Sequence, residues 1–175
     1  KNYKNEKNAI FIQSDLEKLP YPNKYFDFIF SIGVLHHTPN PKDSFLGLVS
    51  HLKEGGSIAI CVYNRGSLLY EYSKRLRKYS VKLNTRFLYY LCVAASIVLY
   101  PIYKIPILKL LIYYLPIDMH RKLEWRILNT FDAYSPKYAS THTWAEVYNW
   151  FKEAGLVNIT LQDTNAVSIR GWKKA

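Results

Sequence analysis

The sequence predicts an α/β fold built on a parallel strand–helix–strand unit and closed by an antiparallel hairpin. Three observations carry this expectation. Residues 26–32 (FDFIFSI) and 57–63 (SIAICVY) are strand-like runs. The second is nearly all apolar, as a strand buried on both faces of a parallel sheet requires. Between them Phe45, Leu48, Val49 and Leu52 recur at helical spacing, and Gly55-Gly56 supplies a stop. Near the end, residues 157–162 and 166–172 are two more strand-like runs joined by Asp163-Thr164-Asn165, a hairpin pattern.

The remaining elements follow in order. Residues 9–13 (AIFIQ) are a short apolar run ending at Ser14-Asp15, which reads as a buried strand. Pro20 and Pro22 mark a loop, and Pro39 and Pro41 close another over residues 33–41. Residues 67–82 form a basic helix candidate. Residues 87–100 are uncharged and apolar and end at Pro101. Residues 105–117 form a second apolar run carrying Lys109, bracketed by Pro106 and Pro116. Neither run shows strand patterning with its own turns, so the stretch reads as a helical insertion. Residues 143–153 are amphipathic, with Trp144, Val147, Tyr148 and Phe151 on one face and Gly155 as the stop. Thr141 or Thr143 caps this helix, and Glu146 completes a capping box with Thr143. The expected organisation is a core over 1–66, the insertion over 67–128, and a return to the core over 129–175.

At 175 residues with 49% apolar content, one domain of ordinary size is expected and a disordered chain is excluded. Two cysteines exclude a disulfide scaffold; Cys61 and Cys92 lie in apolar runs and read as buried, reduced thiols of a cytoplasmic protein. The polar start KNYKNEKN does not read as a signal peptide, and without an initiator Met the chain reads as an excerpt of something longer. The net charge is +11, and Lys dominates the basic residues, which fits coding bias as well as function. The distribution is uneven. Residues 67–128 hold eleven basic residues against three acidic ones, a local charge of +8 coinciding with the most apolar stretch. Basic and apolar together suggest an anionic interface more than a nucleic-acid groove.

Six features stand in sequence: an acidic residue after a strand (Asp15), Leu19-Pro20, the FDFIFSI strand, Val34-Leu35-His36-His37, Pro39-Asn40-Pro41, and Leu52-Lys53-Glu54-Gly55-Gly56 before a strand. In this order and spacing, residues 9–63 resemble the class I S-adenosylmethionine-dependent methyltransferases. Residues 132–173 look like the closing helix and hairpin of the same Rossmann-like fold. The resemblance implies S-adenosylmethionine as cofactor. It implies that Asp15 and the Leu16 backbone N–H meet the adenine, and that the backbone at Ser31, Ile32 and Gly33 faces the methionine part. A helix or turn cap is the structural alternative for Asp15, and a plain strand-end turn for residues 31–33.

His36 and His37 are catalytic candidates, since an imidazole can serve as general base near neutrality. Packing within the loop is the alternative, and adjacent loop histidines rarely point the same way. No metal is expected: the acidic residues that similar quinone-pathway enzymes carry at the positions of Gly33 and His36 are missing, and two histidines make a poor hard-metal site. Tyr134, Tyr138 and His142 are candidate acceptor-lining residues, because the family often builds its acceptor lid there.

Two departures stand out. Glu54 replaces the usual proline of a K-P-G-G turn, a structural detail. The family's glycine-rich loop and ribose-binding acid are absent; no G-x-G occurs. The first two strands, which the family places between the strand ending at Asp15 and FDFIFSI, are therefore expected upstream of Lys1. Without them residues 9–13 lack a neighbour and FDFIFSI has a bare edge.

The expected function is methyl transfer to a small-molecule or lipid-linked acceptor. The alternative is a degenerate or truncated methyltransferase-like module that binds a membrane or partner without catalysis. An anionic membrane surface is the expected additional partner, with no nucleic acid, giving a cytoplasmic or peripheral-membrane location. Fourteen apolar residues in 87–100 fall short of the roughly 20 needed for a span, so an interfacial hairpin or a buried cap fits the insertion better.

Overall fold

A computed structural model describes residues 8–66, 68–163 and 166–175. Its strands are β1 (Phe26–Ile32), β2 (Leu52–Val62), β3 (Val157–Asp163) and β4 (Val167–Trp172). Its helices are α1 (Pro41–Ser50), α2 (Leu68–Ser80), α3 (Thr85–Ile102), α4 (Leu123–Tyr134) and α5 (Trp144–Glu153). The sheet order is β1-β2-β4-β3. β1 and β2 are parallel, with Ile32 opposite Cys61, and α1 makes the crossover between them. β4 runs antiparallel to β2 and to β3. The expected βαβ unit and terminal hairpin are thus both present. Thr164 and Asn165 of the expected hairpin turn, and Ser67 at the expected start of α2, lie outside the described residues.

One face of the sheet holds the main core. Ile58, Ile60 and Val62 of β2 and Val167 and Ile169 of β4 are buried against Phe45, Leu48 and Val49 of α1 and Val147 and Phe151 of α5. The approach of α5 is close: a Cβ at Gly171 would meet Phe151 Cδ1 at 2.7 Å, so only glycine lets the helix lie down on β4. The capping box of α5 forms as the sequence implies, with Thr143 Oγ1 accepting the Glu146 N–H (3.2 Å) and Glu146 Oε2 accepting the Thr143 N–H (2.8 Å).

The opposite face is bare along β1. Phe28, Phe30 and Ile32 project there and are 47%, 67% and 68% exposed. Side chains alternate across a strand, so Ile29 and Ser31 turn to the core side instead. β1 is also the terminal strand of the sheet. Residues 9–13, expected as a strand, form none; Ile10, Phe11 and Ile12 lie exposed. The apolar character of the run alone does not make a strand; β1, β2, β4 and β3 build the sheet without it.

Four further differences from the sequence expectation stand out. Leu52 belongs to β2, not α1, because the helix ends at Ser50 and the chain re-enters the sheet through a register shift opposite Phe26 and Phe28. α3 runs 18 residues, with Asn84 capping the Arg86 and Phe87 N–H groups, and it absorbs Pro101 in its last turn. Residues 105–117 form only a 3-10 helix (Leu108–Tyr113), consistent with Pro106 and Pro116 cutting short any longer helix. α4 is an element the patterning did not suggest, and it runs across position 128. With α2 and α3 it builds a second cluster around Leu88, Cys92, Ala133 and Tyr134.

Candidate functional site

Parallel pairing brings the carboxyl ends of β1 and β2 side by side, the edge at which open α/β sheets bind ligands. Gly33 ends β1. Its N–H donates to the Cys61 carbonyl at 3.1 Å, and its φ of +74° is a conformation that side-chain-bearing residues rarely adopt. No heavy atom lies within 4 Å of where its Cβ would stand, so the backbone borders open space. Ser31 is buried on the core side, whereas Ile32 is exposed. Asp15 caps the 3-10 turn Leu16–Lys18: its Oδ1 accepts the Glu17 N–H at 3.0 Å. The turn contributes Leu16 and Leu19 to the margin of the core, which leaves the Asp15 carboxylate on the surface.

The next turn, Leu35–His37, divides the histidine pair. His36 is 1% exposed and stacks on Tyr63 with ring centroids 3.5 Å apart. Its Nδ1 accepts the Tyr63 N–H at 3.3 Å, and its Nε2 lies 3.1 Å from His37 Nε2. A ring nitrogen that accepts carries no proton, so neutral His36 is protonated on Nε2 and donates to His37. His37 in turn holds its proton on Nδ1, which donates to the Tyr138 carbonyl at 2.9 Å. Burial, reinforced by repulsion from His37 and His142, pushes the His36 pKa down to about 3. His36 is thus a neutral packed residue near pH 7. His37 is the partly exposed member, its side chain 23% accessible.

Two residues that the sequence did not single out complete this cluster. The Tyr63 hydroxyl donates to Asp132 Oδ2 and sits 3.4 Å from His37 Nε2. Asp132 Oδ1 lies 3.9 Å from the same nitrogen. Tyr63 also stacks on Tyr70 at 3.7 Å. Burial raises the Tyr63 pKa well above that of a free phenol, and the hydrogen bond to Asp132 adds to the rise. Tyr63 was legible in principle, standing directly after β2 at the carboxyl edge. Asp132 carried no signal, because α4 itself was not foreseen.

The segment 138–142 is laced onto this edge by backbone bonds: Ser140 N–H to the His36 carbonyl (3.0 Å) and His142 N–H to the Tyr63 carbonyl (2.9 Å). The three acceptor-lining candidates nevertheless face different surroundings. Tyr134 is buried, donates to the Pro116 carbonyl at 2.6 Å, and lines an apolar cavity of about 330 Å³ between α2, α3 and α4. Tyr138 lines a separate cleft beside His37, together with Lys74, Arg77, Lys78 and Lys137. His142 contacts Ser140 Oγ at 2.7 Å and the edge of Trp150, and burial lowers its pKa. Among the described residues no group of three or more His, Cys, Asp or Glu side chains is placed to hold a metal ion.

Residues 1–60 match the family model described as a methyltransferase domain. A tRNA U34 carboxymethyltransferase of Hydrogenovibrio crunogenus is 41% identical over 54 residues, which is 30% of this chain and 16% of that protein. A ubiquinone/menaquinone biosynthesis C-methyltransferase of Stutzerimonas stutzeri is 31% identical over 58 residues, 33% of this chain and 23% of that protein. The chain thus matches less than a quarter of the length of either relative. Among solved structures, an S-adenosylmethionine-dependent methyltransferase of Thermotoga maritima superposes with a TM-score of 0.50 at 15% identity, covering 97% of this chain and 66% of that one. This likeness speaks to the fold, which is Rossmann-like.

Proposed function

We infer that this chain, which carries methyltransferase-domain sequence over residues 1–60, is a class I S-adenosylmethionine-dependent methyltransferase acting on a small-molecule or lipid-linked acceptor. The observation that carries the reading is the coincidence of the family match with the open carboxyl edge at Ser31, Ile32 and Gly33. The residues present fit one wall of a cofactor site. The Gly33 backbone borders open space, and the Asp15 carboxylate, with one oxygen engaged in its cap, stands exposed near the start of the fold.

S-Adenosylmethionine supplies an electrophilic methyl group on a sulfonium centre. The chain's own residues supply position. Asp15 would accept from the adenine amino group, the Leu16 N–H would donate to a ring nitrogen, and the 31–33 backbone would bound the methionine part. Holding acceptor and methyl donor in line is most of what such a site must do. In this reading His36 is structural. His37 stands on the acceptor side, locked between Tyr138, His36 and the Tyr63–Asp132 pair, and orients that wall rather than removing a proton.

The acceptor is drawn from the other half of the chain. The family match ends at residue 60, before the insertion, and so says nothing about what the insertion receives. α3 is long and apolar enough by length and composition to cross a membrane, yet only 17% of it is buried. Phe87, Tyr90, Leu91, Ile97, Val98 and, beyond the helix, Ile107 are exposed apolar residues beside Arg86, Lys104 and Lys109. This combination supports docking at an anionic membrane surface and a peripheral location. It supports a lipid-linked acceptor over a nucleic acid, although one relative is named for tRNA.

Calorimetric titration with S-adenosylhomocysteine tests the reading. In the complete protein, saturable binding at one site is expected. A folded protein that binds neither this ligand nor S-adenosylmethionine would favour the alternative of a non-catalytic docking module.

A further inference from the structure

Beside His37 lies a cleft of about 330 Å³, separate from the carboxyl edge of the sheet. One wall is a single face of α2 and the residue after it: Lys74, Arg77, Lys78 and Val81 follow at i, i+3, i+4 and i+7. The other wall is the segment that carries Lys137, Tyr138 and Ser140, together with Thr38 and Pro39. Four cationic side chains therefore converge on one concavity. Lys74 is paired with Glu71 at 2.8 Å. Arg77, Lys78 and Lys137 have no ion-pair partner among the described residues.

Arg77 is the informative member. It is 7% exposed, yet its guanidinium is held only by neutral groups: the Ala133 carbonyl (3.0 Å), the Ala139 carbonyl (3.0 Å) and Ser73 Oγ (3.0 Å). A buried cation without a carboxylate is costly and is ordinarily offset by a counter-charge. The Asp132 carboxylate acts on it through space without forming an ion pair, while the cleft on its other side collects further positive charge. Such a fixed concentration of cations on a partly enclosed surface attracts anions and strengthens their hydrogen bonds.

We propose that this cleft binds a terminal phosphoryl group, carried by the methyl acceptor, through Lys78, Lys137 and the rim of Arg77. The proposal rests on the methyltransferase reading only for the word acceptor; phosphate recognition stands on the cleft itself. Lys78 and Lys137, neither with an ion-pair partner among the described residues, reach one small concavity from two separate segments, which suits a single compact dianion better than charges spaced along a strand. Both a soluble phosphate ester and a lipid phosphate headgroup present this chemistry. The Tyr138 carbonyl, which accepts from His37 Nδ1, ties this wall of the cleft to the turn that follows β1.

The test titrates the protein with inorganic phosphate at constant ionic strength, in the absence of S-adenosylmethionine. The variants are Lys78→Gln/Lys137→Gln and, as a charge-matched control, Lys104→Gln/Lys109→Gln. Both pairs leave the Arg77 bonds to α4 intact, and circular dichroism checks their folding. Saturable phosphate binding, weakened at least fivefold by the first pair and unchanged by the control, is expected. Equal affinity in both pairs, or no saturable binding to the wild type, would overturn the proposal. Phosphatidic acid vesicles then separate the sources. Competition between vesicles and phosphate, lost in the first pair, assigns a lipid headgroup, and its absence assigns a soluble ester. A single-stranded RNA that displaces phosphate and binds more tightly would overturn the terminal-phosphoryl assignment. A separate titration with S-adenosylhomocysteine keeps failure of the cofactor reading distinct from failure of this one.

Discussion

The Nε2 atoms of His36 and His37 lie 3.1 Å apart, so the two imidazoles share one hydrogen bond and cannot both be protonated in this arrangement. The direction of that bond is fixed from the far side, where His36 Nδ1 accepts from the Tyr63 backbone. Each of the two rings is therefore the other's constraint.

Acid should destabilise the fold through His36. Its native pKa is depressed to about 3 by burial, while an unfolded histidine titrates near 6.5. A depressed histidine stabilises the folded state fully above the unfolded value and loses that contribution as pH falls, because the unfolded chain takes up the proton first. The loss should run from about pH 6.5 toward pH 3 and reach roughly 5 kcal/mol at most. Denaturant melts of wild type and His36→Asn across this range check it. The variant should be less stable at pH 7 and show a flatter dependence on pH.

His37 should prove dispensable as a base. Both of its ring nitrogens are engaged within the protein, at Tyr138 and at His36. His37→Asn should keep turnover within about tenfold of wild type, against the 10²–10⁴-fold loss expected on removing a general base. A loss in the larger range with unchanged cofactor affinity would assign proton transfer to it.

Much of the fold could be read from the sequence, for physical reasons visible in particular residues. The βαβ unit and the hairpin were legible because Ile58, Ile60, Val62, Val167 and Ile169 must be apolar to meet α1 and α5. The Thr143–Glu146 capping box was legible because caps are local. Residues 9–13 misled because an apolar run alone does not specify a strand. α4 escaped notice because its buried residues include Arg126 and Thr130, which blur the apolar stripe. The site was legible at Gly33 and at the histidine pair. It was not legible at Tyr63–Asp132, a contact spanning 69 positions that only the packing of α4 creates.

Asp15 offers a direct probe of the adenine contact. In the complete protein, Asp15→Ala should weaken cofactor binding several-fold, the loss of a hydrogen bond worth about 1–2 kcal/mol. Asp15→Asn retains an acceptor and a capping oxygen and should recover most of the affinity. Calorimetry on the two variants distinguishes them, and unchanged affinity in a well-folded Asp15→Ala protein would remove this residue from the site.

Membrane docking should show a divided response to salt. Attraction of about 1 kcal/mol per basic residue near an anionic surface is screened, whereas apolar insertion is not. Binding to anionic vesicles should therefore weaken but persist as salt rises, and neutral vesicles should bind less. Phe87→Asp/Ile107→Asp, at exposed positions, should remove the salt-resistant part. A protein that ignores anionic vesicles at low salt would make this surface a protein contact instead.

The central claim is that S-adenosylmethionine binds at the carboxyl edge of β1 and β2. Amide hydrogen exchange with and without S-adenosylhomocysteine measures it residue by residue. Slowed exchange is expected at residues 16–18 and 32–34, with the amides of α3 unchanged. Saturable binding that leaves both segments unprotected, and protects another part of the chain, would contradict the account.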